Sequence, residues 1–404
     1  MRKLLKWLLI AIVITLAAAA ILGLVYRDRV TRLLAVNSLF SEEKIVGNFS
    51  NMKGMFFNTP IPAEGPGDAV EEWPRLPAPL PASFAYEGGE VTTGSFLEET
   101  ATTSLVVVRN GAITFEEYYL DTKPDDLRVS WSVAKSFLSA VFGIAVAEDK
   151  IESLDDPVTK YVPQLAGTAY DGVTIRNTLN MATGVKFNED YLDFWSDINK
   201  MGRTLALGTS MDDFAASLKE RVREQGTVRQ YTSIDTHVLA MVLRATTGKS
   251  VIDLVGEQIV GAIGFEKAPY YLTDGEGVAF ALGGLNLTTR DYARFGQMFM
   301  QHGKWYGEQI IPREWADQSV MPSAPEQSAR EDGFGYGYQW WIPAGAEDGE
   351  FMARGIYDQY IYVNRNTNTV IVKTSANRKF REPGNSERTV AFFRTLAGVE
   401  PGTE

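Results

Sequence analysis

The hydrophobic pattern begins with an unbroken apolar run at the N-terminus. Residues 7–26 carry no charge, and the basic residues Arg2, Lys3 and Lys6 precede them. Twenty such residues match the thickness of the hydrocarbon core of a bilayer. Basic residues before the run predict that the N-terminus stays inside and that the rest of the chain lies outside. The pattern therefore predicts a cytoplasmic segment (1–6), a transmembrane anchor (7–26) and an exported body, held at the inner membrane with its folded part in a periplasm.

A cleaved signal peptide is the alternative interpretation of the same run. The small residues from Ala17 to Ala20 resemble a cleavage region. The run is longer than a usual signal core, however, and no Ala-x-Ala followed by a polar start is present. These features favour the anchor, with secretion to the periplasm after cleavage as the alternative.

The next segment, residues 27–83, is rich in proline in its second part. Its first part has a mixed composition and predicts a short helix near residues 30–39. Residues 60–81 then hold seven of the seventeen prolines. Proline excludes regular helix and central strand. We therefore expect a juxtamembrane segment followed by an extended spacer or a wrap on the surface of the domain.

From residue 84 onward, the pattern changes from strands to helices and back to strands. Two β-rich runs, 103–109 and 113–119, flank Asn110-Gly111, which is the favoured two-residue hairpin turn. Helical spacing follows at 137–147, 158–165, 175–181, 211–223, 234–246, 251–259 and 290–302, with an irregular aromatic stretch at 187–208. Further strands are predicted at 336–342, 351–356, 360–364 and 369–374, and a closing helix at 386–396. This order predicts an α+β domain over 84–404, with an antiparallel sheet flanked by helices and a second, mostly helical lobe.

Composition excludes several classes of function. The formal net charge of −12 argues against nucleic acid as a partner. No cysteine is present, which excludes disulfides and thiolate chemistry. The only histidines, His237 and His302, cannot build a His-rich zinc site, and the residues near them favour structural roles. We therefore expect no metal and no organic cofactor, and proton transfer by lysine and tyrosine.

Candidate chemistry centres on Ser132 and Lys135, which stand three residues apart at the start of the apolar helix. Residues at i and i+3 share a helix face. Apolar surroundings lower the pKa of an ammonium group and so allow it to accept a proton. A serine with such a lysine is a nucleophile–base pair. The alternative is a capping serine beside a solvated lysine. Ser41 and Lys44 fit the same spacing, but two glutamates lie between them and predict a solvated face.

Further motifs give the pair a family context. Tyr231-Thr232-Ser233 stands just before a predicted helix, and Ala353-Arg354-Gly355-Ile356 lies on a late strand. Supporting runs occur at 173–179, 181–184, 283–285, 288–291 and 335–341. Over residues 84–400, the chain resembles the serine β-lactamase and penicillin-binding superfamily. Within that superfamily it is most similar to class C β-lactamase-related hydrolases, in particular to 6-aminohexanoate-dimer hydrolases and related esterases.

The resemblance implies a β-lactamase/transpeptidase-like fold and a role for each motif. Ser132 would be the nucleophile that accepts the acyl group, and Lys135 its base. Tyr231 would protonate the leaving group, with its phenol pKa lowered by the neighbouring ammonium. The N–H groups of Ser132 and Ile356 would form the oxyanion hole.

Two departures from the family pattern concern substrate binding. Ser233 stands where class C β-lactamases usually have asparagine, and Arg354-Gly355 stands where they have Lys-Thr-Gly. Lys373-Thr374-Ser375 is similar to that triplet in sequence but lies on a later predicted strand. Binding of a penicillin carboxylate is therefore in doubt, and Arg354 would either bind an anion or point to solvent.

Aromatic residues supply the remaining candidates. Tyr191, Phe194 and Trp195 in the irregular stretch would cover the acyl pocket, or would pack among themselves in a surface loop. The predicted substrate-binding set consists of Tyr191 and Trp195 together with Ser233, Arg354 and Gly355. Of Trp340 and Trp341, which alternate on a strand, one would lie in the core and the other near the site.

The leading hypothesis is an exported serine hydrolase that cleaves a small-molecule amide or ester through an acyl-enzyme. The alternative is a membrane-anchored penicillin-binding or sensor domain with little turnover. The anchor, the proline-rich segment and the missing Lys-Thr-Gly motivate this alternative.

Overall fold

A computed structural model describes residues 2–62, 72–325 and 333–398. The helices are α1 Arg2–Ser38, α2 Ile45–Ser50, α3 Thr93–Glu99, α4 Ala134–Ala147, α5 Val158–Tyr161, α6 Ile175–Leu179, α7 Asp197–Leu207, α8 Met211–Ser217, α9 Ser233–Thr247, α10 Val251–Val255, α11 Gly261–Ile263, α12 Thr289–Met300, α13 Arg313–Gln318 and α14 Asn385–Ala397. The strands are β1 Asn58–Pro60, β2 Ser83–Tyr86, β3 Gly89–Thr92, β4 Thr102–Arg109, β5 Ala112–Tyr118, β6 Arg128–Val129, β7 Tyr270–Leu272, β8 Leu285–Leu287, β9 Lys304–Trp305, β10 Glu308–Gln309, β11 Gly335–Tyr336, β12 Trp341–Ile342, β13 Glu350–Gly355, β14 Gln359–Asn364 and β15 Thr369–Ser375.

An antiparallel sheet of seven strands organises the body, in the order β11-β12-β13-β14-β15-β4-β5. The first hairpin is confirmed, because β4 pairs with β5 across Asn110 and Gly111, which both have positive φ (51° and 76°). Strand β4 also pairs with the late strand β15, with Val106 opposite Val372. The sheet therefore joins the two ends of the domain, as the α+β prediction requires.

Both faces of this sheet are covered. Along β4, Val106 and Val108 face the main core, while Leu105 and Val107 face a second core formed with α14. This alternation is the period of two that a strand imposes on its side chains. In the main core, the ring of Phe137 on α4 stacks on Phe295 of α12 at a centroid distance of 3.6 Å. Helix α4, which begins next to Ser132, thus packs against α12, and α12 in turn packs against strands β14 and β15 of the sheet.

The N-terminal helix is longer than predicted. α1 runs without a break from Arg2 to Ser38, so the predicted anchor and the short helix near 30–39 form one element. Among the described residues it is the one helix long and apolar enough to cross a membrane. Its apolar side chains stand exposed, such as Leu16 at 64% and Leu24 at 72%. At its C-terminal end, Arg32 donates to the carbonyl of Ala206 (2.8 Å) and so ties the helix to the body.

The folded body begins earlier than the predicted boundary at residue 84. Ile45, Phe49, Met52 and Ile61 are buried in the main core, and β1 pairs with β7. The predicted boundary is misplaced because these side chains find partners far along the chain, which no local pattern reveals.

The proline-rich segment follows the surface of the domain where it is described. The N–H of Leu76 donates to the carbonyl of Ile113 (3.0 Å), and the N–H of Ala78 donates to that of Thr114 (2.8 Å). Residues 72–81 thus form a wrap along β5 rather than a free spacer. The predicted segment also includes residues 63–71, which lie outside the described residues.

Two further predictions need correction. Half of the stretch predicted as irregular is the helix α7, which begins where Ser196 accepts the N–H of Asn199 and ends at Gly208 with φ 69°. The helix predicted over 211–223 ends at Ser217 instead. It stops there because the next residues pair with another segment. The carbonyl of Leu218 accepts the N–H of Ala169, and Val222 donates to Gly184.

Candidate active site

Ser132 lies on a tight turn between β6 and α4. The turn is a short 3₁₀ segment, Trp131–Val133, and Trp131 has a positive φ of 44°. Such a conformation is rare for a bulky residue and marks local strain. The N–H of Ser130 donates to the carbonyl of Leu285 (2.8 Å) and anchors the turn on β8. The serine is therefore held just before the first residue of α4 rather than inside it.

Lys135 is buried and faces Ser132. Its Nζ lies 2.9 Å from Ser132 Oγ and donates to the carbonyl oxygen of Leu282, also at 2.9 Å. The side chain is 1% exposed. Burial lowers the pKa of Lys135 from 10.5 to about 7, against the opposing charges of Glu189 and Asp235. At neutral pH a large fraction of this lysine is therefore uncharged, with a lone pair for the serine proton. The alternative of a solvated lysine is wrong.

Tyr231 stands beside this pair at the start of α9. The Lys135 Nζ lies 5.2 Å from the centroid of its ring. On the other side, the ring stacks on Trp341 at 5.3 Å. Burial, followed by the charge of Glu189, raises the phenol pKa above its ordinary value, although the hydroxyls of Ser132 and Ser233 and the charge of Arg354 oppose the rise. The sequence predicted a lowered pKa, which is the opposite direction. The phenol accordingly stays protonated at neutral pH.

Two carboxyl groups near the pair were not predicted, the partly buried Glu189 at the cleft and the buried Asp235. Glu189 accepts the N–H of Ser233 (3.0 Å), the Ser233 hydroxyl (2.5 Å) and the Tyr191 hydroxyl (2.7 Å). Burial raises the pKa of Glu189, whereas Lys135 and these hydrogen bonds oppose the rise. Asp235 is fully buried, accepts the Tyr170 hydroxyl at 2.7 Å, and has a pKa raised by the same desolvation.

This carboxyl arrangement changes the role expected of Ser233. Its hydroxyl and its N–H are both bound to Glu189, so it positions Glu189 at the start of α9 instead of offering a free group to substrate. Neither carboxyl had a signal in the sequence. Asp235 stands two residues after Ser233 on α9, and residues two apart on a helix do not share a face. Glu189 lies 44 residues from Ser233.

The end of β13 closes the other side of the serine. A Cβ at Gly355 would lie 2.6 Å from the carbonyl oxygen of Ser130 and 3.1 Å from the nitrogen of Ser132. Real Cβ atoms do not approach backbone this closely, so only glycine lets the strand lie against the turn. Ile356 follows directly and borders the space in front of Ser132.

Arg354 also borders this space. Its guanidinium donates to the Ser386 hydroxyl and lies 5.2 Å from the ring of Trp341 and 5.5 Å from that of Phe334. Of the two sequence alternatives, the arginine therefore faces the cleft rather than pointing away into solvent. Lys373 lies elsewhere, on β15, which is separated from β13 by β14.

Two cavities meet at Ser132. A cleft of about 820 Å³ is lined by Ser132, Tyr231, Ile356 and many polar and charged side chains, among them Glu189, Arg354, Arg381 and Glu387. A second cavity of about 300 Å³ is lined mostly by apolar side chains and also reaches Ser132. Tyr191 borders both cavities.

The three tryptophans near the predicted site occupy different surroundings. Trp341 borders the cleft, and Trp340 is fully buried in the core. Trp195 is 71% exposed, packs edge-on against Phe194 at 4.9 Å and borders neither cavity. Its predicted place at the site is therefore wrong, whereas its neighbour Phe194 borders the second cavity.

Each histidine contacts an aspartate, and neither borders the two cavities at Ser132. His237 is buried with Nε2 at 2.8 Å from Asp212, and His302 Nδ1 lies 2.6 Å from Asp317. Within the described part of the chain, no group of three or more His, Asp or Glu side chains is arranged to hold a metal ion.

Comparisons with known proteins agree with this geometry. The family model described as Beta-lactamase matches residues 95–393. The chain is 32% identical over 292 residues to a 6-aminohexanoate-dimer hydrolase of Paenarthrobacter ureafaciens, which covers 69% of this chain and 74% of the relative.

Solved structures show the same fold. A Bacillus anthracis protein proposed to be a 6-aminohexanoate-dimer hydrolase has a TM-score of 0.78 at 24% identity, covering 89% of this chain and 95% of its own. EstCE1, a hydrolase with promiscuous acyltransferase activity, has a TM-score of 0.57 at 14% identity, covering 76% and 96%. With the buried Ser132–Lys135 pair at its centre, the chain belongs to the β-lactamase family and is a serine hydrolase with the β-lactamase/transpeptidase-like fold.

Proposed function

We propose that the chain cleaves an amide or ester bond of a small molecule through an acyl-enzyme on Ser132. The observation that carries this proposal is the contact between the buried Lys135 Nζ and Ser132 Oγ at 2.9 Å. A lysine with a pKa of about 7 is a competent general base near neutral pH. The relative from Paenarthrobacter is named a hydrolase of the 6-aminohexanoate dimer, which supports an amide substrate.

In the acylation step, the Ser132 Oγ attacks the carbonyl carbon while its proton passes to the uncharged Lys135 amine. The N–H groups of Ser132 and Ile356 are the proposed donors to the developing oxyanion. The protonated Tyr231 gives its proton to the leaving nitrogen or oxygen as the bond to carbon breaks, and takes one back from the Lys135 ammonium. The products of this step are the free amine or alcohol and an ester on Ser132, with Lys135 uncharged again.

Deacylation repeats the sequence with water as the nucleophile. Water gives a proton to Lys135, its oxygen attacks the ester carbon, and Ser132 leaves with a proton returned by the same groups. No metal or organic cofactor takes part in this scheme. Glu189 and Asp235 take no proton in this scheme, and their electrostatic effect opposes the burial that lowers the pKa of Lys135.

We also propose that the protein is anchored in the inner membrane. The apolar part of α1 acts as an anchor, with residues 1–6 in the cytoplasm and the hydrolase domain in the periplasm. The attachment of α1 to the body through Arg32 supports an uncleaved helix. Full-length protein should stay in the membrane after a carbonate wash and keep its N-terminal peptide. A soluble species that starts near Ala20 would show signal cleavage instead.

The absence of Lys-Thr-Gly beside Ser132 motivates the alternative of a sensor domain. Measuring the turnover of p-nitrophenyl esters distinguishes this alternative from an enzyme. Steady release of many equivalents of p-nitrophenol, lost in Ser132→Ala, supports the enzyme. One equivalent followed by no further release would support a sensor that acylates and then stops.

A further inference from the structure

The apolar cavity beside Ser132 has walls from two parts of the chain. The end of α1 and the segment after it provide Val36, Leu39, Phe40, Met52 and Phe56. Helix α7 and the loop that ends at Gly283 provide Ile198, Met201, Gly202, Leu205, Phe280 and Leu282. The first group precedes residue 95, where the family match begins. This wall is therefore built by the N-terminal segment that the family model leaves out.

The position of Tyr231 orients a substrate between the two cavities. Ser132 and Ile356 border both cavities, whereas Tyr231 is among the residues that line the polar cleft and not among those that line the apolar cavity. The group that protonates the leaving atom must lie on the leaving-group side of the carbonyl. The leaving group therefore lies in the polar cleft and the acyl group in the apolar cavity.

Three of the polar side chains that line the cavity already have hydrogen-bond partners. Asn199 donates to the carbonyl of Asp193 (2.8 Å), and Arg203 donates to the carbonyl of Phe194 (2.8 Å). Ser233 is bound to Glu189. Among the described residues that line the cavity there is no Asp or Glu. An acyl chain with a terminal ammonium would find no carboxylate there, and burying an unpaired charge is costly.

We propose that the acyl group of the substrate is an uncharged, apolar chain seated in this cavity, joined to a polar leaving group in the cleft. This inference rests on the proposed acyl-enzyme function. A water molecule takes about 30 Å³ of liquid and a methylene group is of similar size, so 300 Å³ holds roughly ten such groups. The substrate is thus an amphiphile with an acyl chain of medium length. The exposed Leu192 (87%) and Phe194 (54%) at the cavity suit the entry of such a molecule.

The test is a series of p-nitrophenyl esters with full-length protein in lipid nanodiscs. The acyl groups are acetyl, butyryl, octanoyl and 8-aminooctanoyl. Each buried methylene is worth up to about fourfold in binding, so kcat/KM should rise at least tenfold from acetyl to octanoyl. The aminooctanoyl ester should be at least tenfold poorer than the octanoyl ester.

Gly202 provides the variant that fills the cavity. It lies within α7, and a Cβ there would meet no atom within 4 Å. Leucine favours a helix more than glycine does, so Gly202→Leu should fold. Its ratio of kcat/KM for octanoyl over acetyl should fall at least fivefold relative to Gly202→Ala. Gly94→Leu is the matched control, because Gly94 is a helical glycine of α3 with open space around it and borders neither cavity.

The outcomes separate this inference from the proposed function. Acetyl turnover that depends on Ser132, with no preference for octanoyl over acetyl, would overturn the inference and leave the function intact. Equal ratios in Gly202→Leu and Gly202→Ala would overturn it as well. Preference for the aminooctanoyl ester would show a charged acyl group instead. If the wild-type protein turned over none of these esters, the proposed function itself would be contradicted.

Discussion

Among the described residues, two buried lysines contact a serine hydroxyl, and their surroundings differ. Lys135 lies 2.9 Å from Ser132 Oγ, and Lys373 lies 2.6 Å from Ser375 Oγ. Burial lowers the pKa of both, to about 7 for Lys135 and about 8 for Lys373. By contact and by pKa alone, either pair would qualify as nucleophile and base.

Access and neighbours distinguish the two pairs. Ser132 borders both cavities, whereas Ser375 is fully buried in β15 and borders neither. The backbone of Ser375 is bound on both sides, since its carbonyl accepts the amide of Gln359 and its N–H donates to the same side chain. The aromatic ring that faces the Lys373 ammonium is that of Phe96, at 5.5 Å, and it carries no hydroxyl. A lysine with a lowered pKa is therefore insufficient without space beside the serine for a substrate carbonyl group.

Removing the two hydroxyls should give the largest contrast. Ser132→Ala should lower kcat/KM for a p-nitrophenyl ester by at least about a thousandfold, because the atom that forms the acyl-enzyme is gone. Ser375→Ala should stay within about threefold of wild type, since a buried serine with no access cannot react. Rates of purified variants of equal fold, judged by circular dichroism, provide the measurement. Loss of activity in Ser375→Ala with retained activity in Ser132→Ala would reverse the assignment.

Replacing the lysines tests the base. Lys135→Arg should lose about a hundredfold or more, because a guanidinium does not give up its proton in the accessible pH range. Lys135→Ala should lose as much and keep the fold. Lys373→Met keeps the length of the side chain without its charge, and should leave kcat/KM within about threefold of wild type. An active Lys135→Arg enzyme would rule out the lysine-base mechanism.

Tyr231→Phe probes the proton donor beside the Ser132–Lys135 pair. It should lower kcat/KM for an amide by about a hundredfold, the usual size of a general acid contribution. The loss should be smaller for an activated ester, whose leaving group departs without a proton. A matched amide and ester with the same acyl group give the comparison. Equal losses for both would mean that Tyr231 is not the leaving-group acid.

The smallest expected effect is the pH dependence of kcat/KM. Only uncharged Lys135 accepts the serine proton, and its pKa is about 7. The value of kcat/KM should therefore be flat above that pKa and fall about tenfold for each pH unit below it. The Lys373→Met variant should keep the same profile. A midpoint that moved in this variant would show that the second lysine contributes to the observed titration.

The sequence predicted the parts of the fold that depend on local pattern. The Asn110-Gly111 hairpin and the apolar helix after Ser132 follow from turn chemistry and helical spacing. The early start of the body at Ile45 and the helix α7 were missed. Those features depend on partners that lie far apart in the chain, such as β1 and β7.

The residues of the site also fall into those that a short motif or the family resemblance predicts and those that only the fold brings together. Ser132 and Lys135 share a short motif, and Tyr231 was found through the family resemblance. Glu189 was not, because its contacts with Ser233 form only when residues 44 positions apart meet at the start of α9. The direction of the Tyr231 pKa was wrong for the same reason, since burial and the charge of Glu189 are properties of the folded site.

The central claim is that Ser132, and not Ser375, is the reactive serine. A fluorophosphonate probe applied to full-length protein, followed by peptide mapping, tests it directly. We predict one modification, on the peptide that contains Ser132, with labelling that follows the same pH dependence as the uncharged form of Lys135 and is lost in Lys135→Arg. A modification on Ser375, or none on Ser132 while ester turnover continues, would contradict the account.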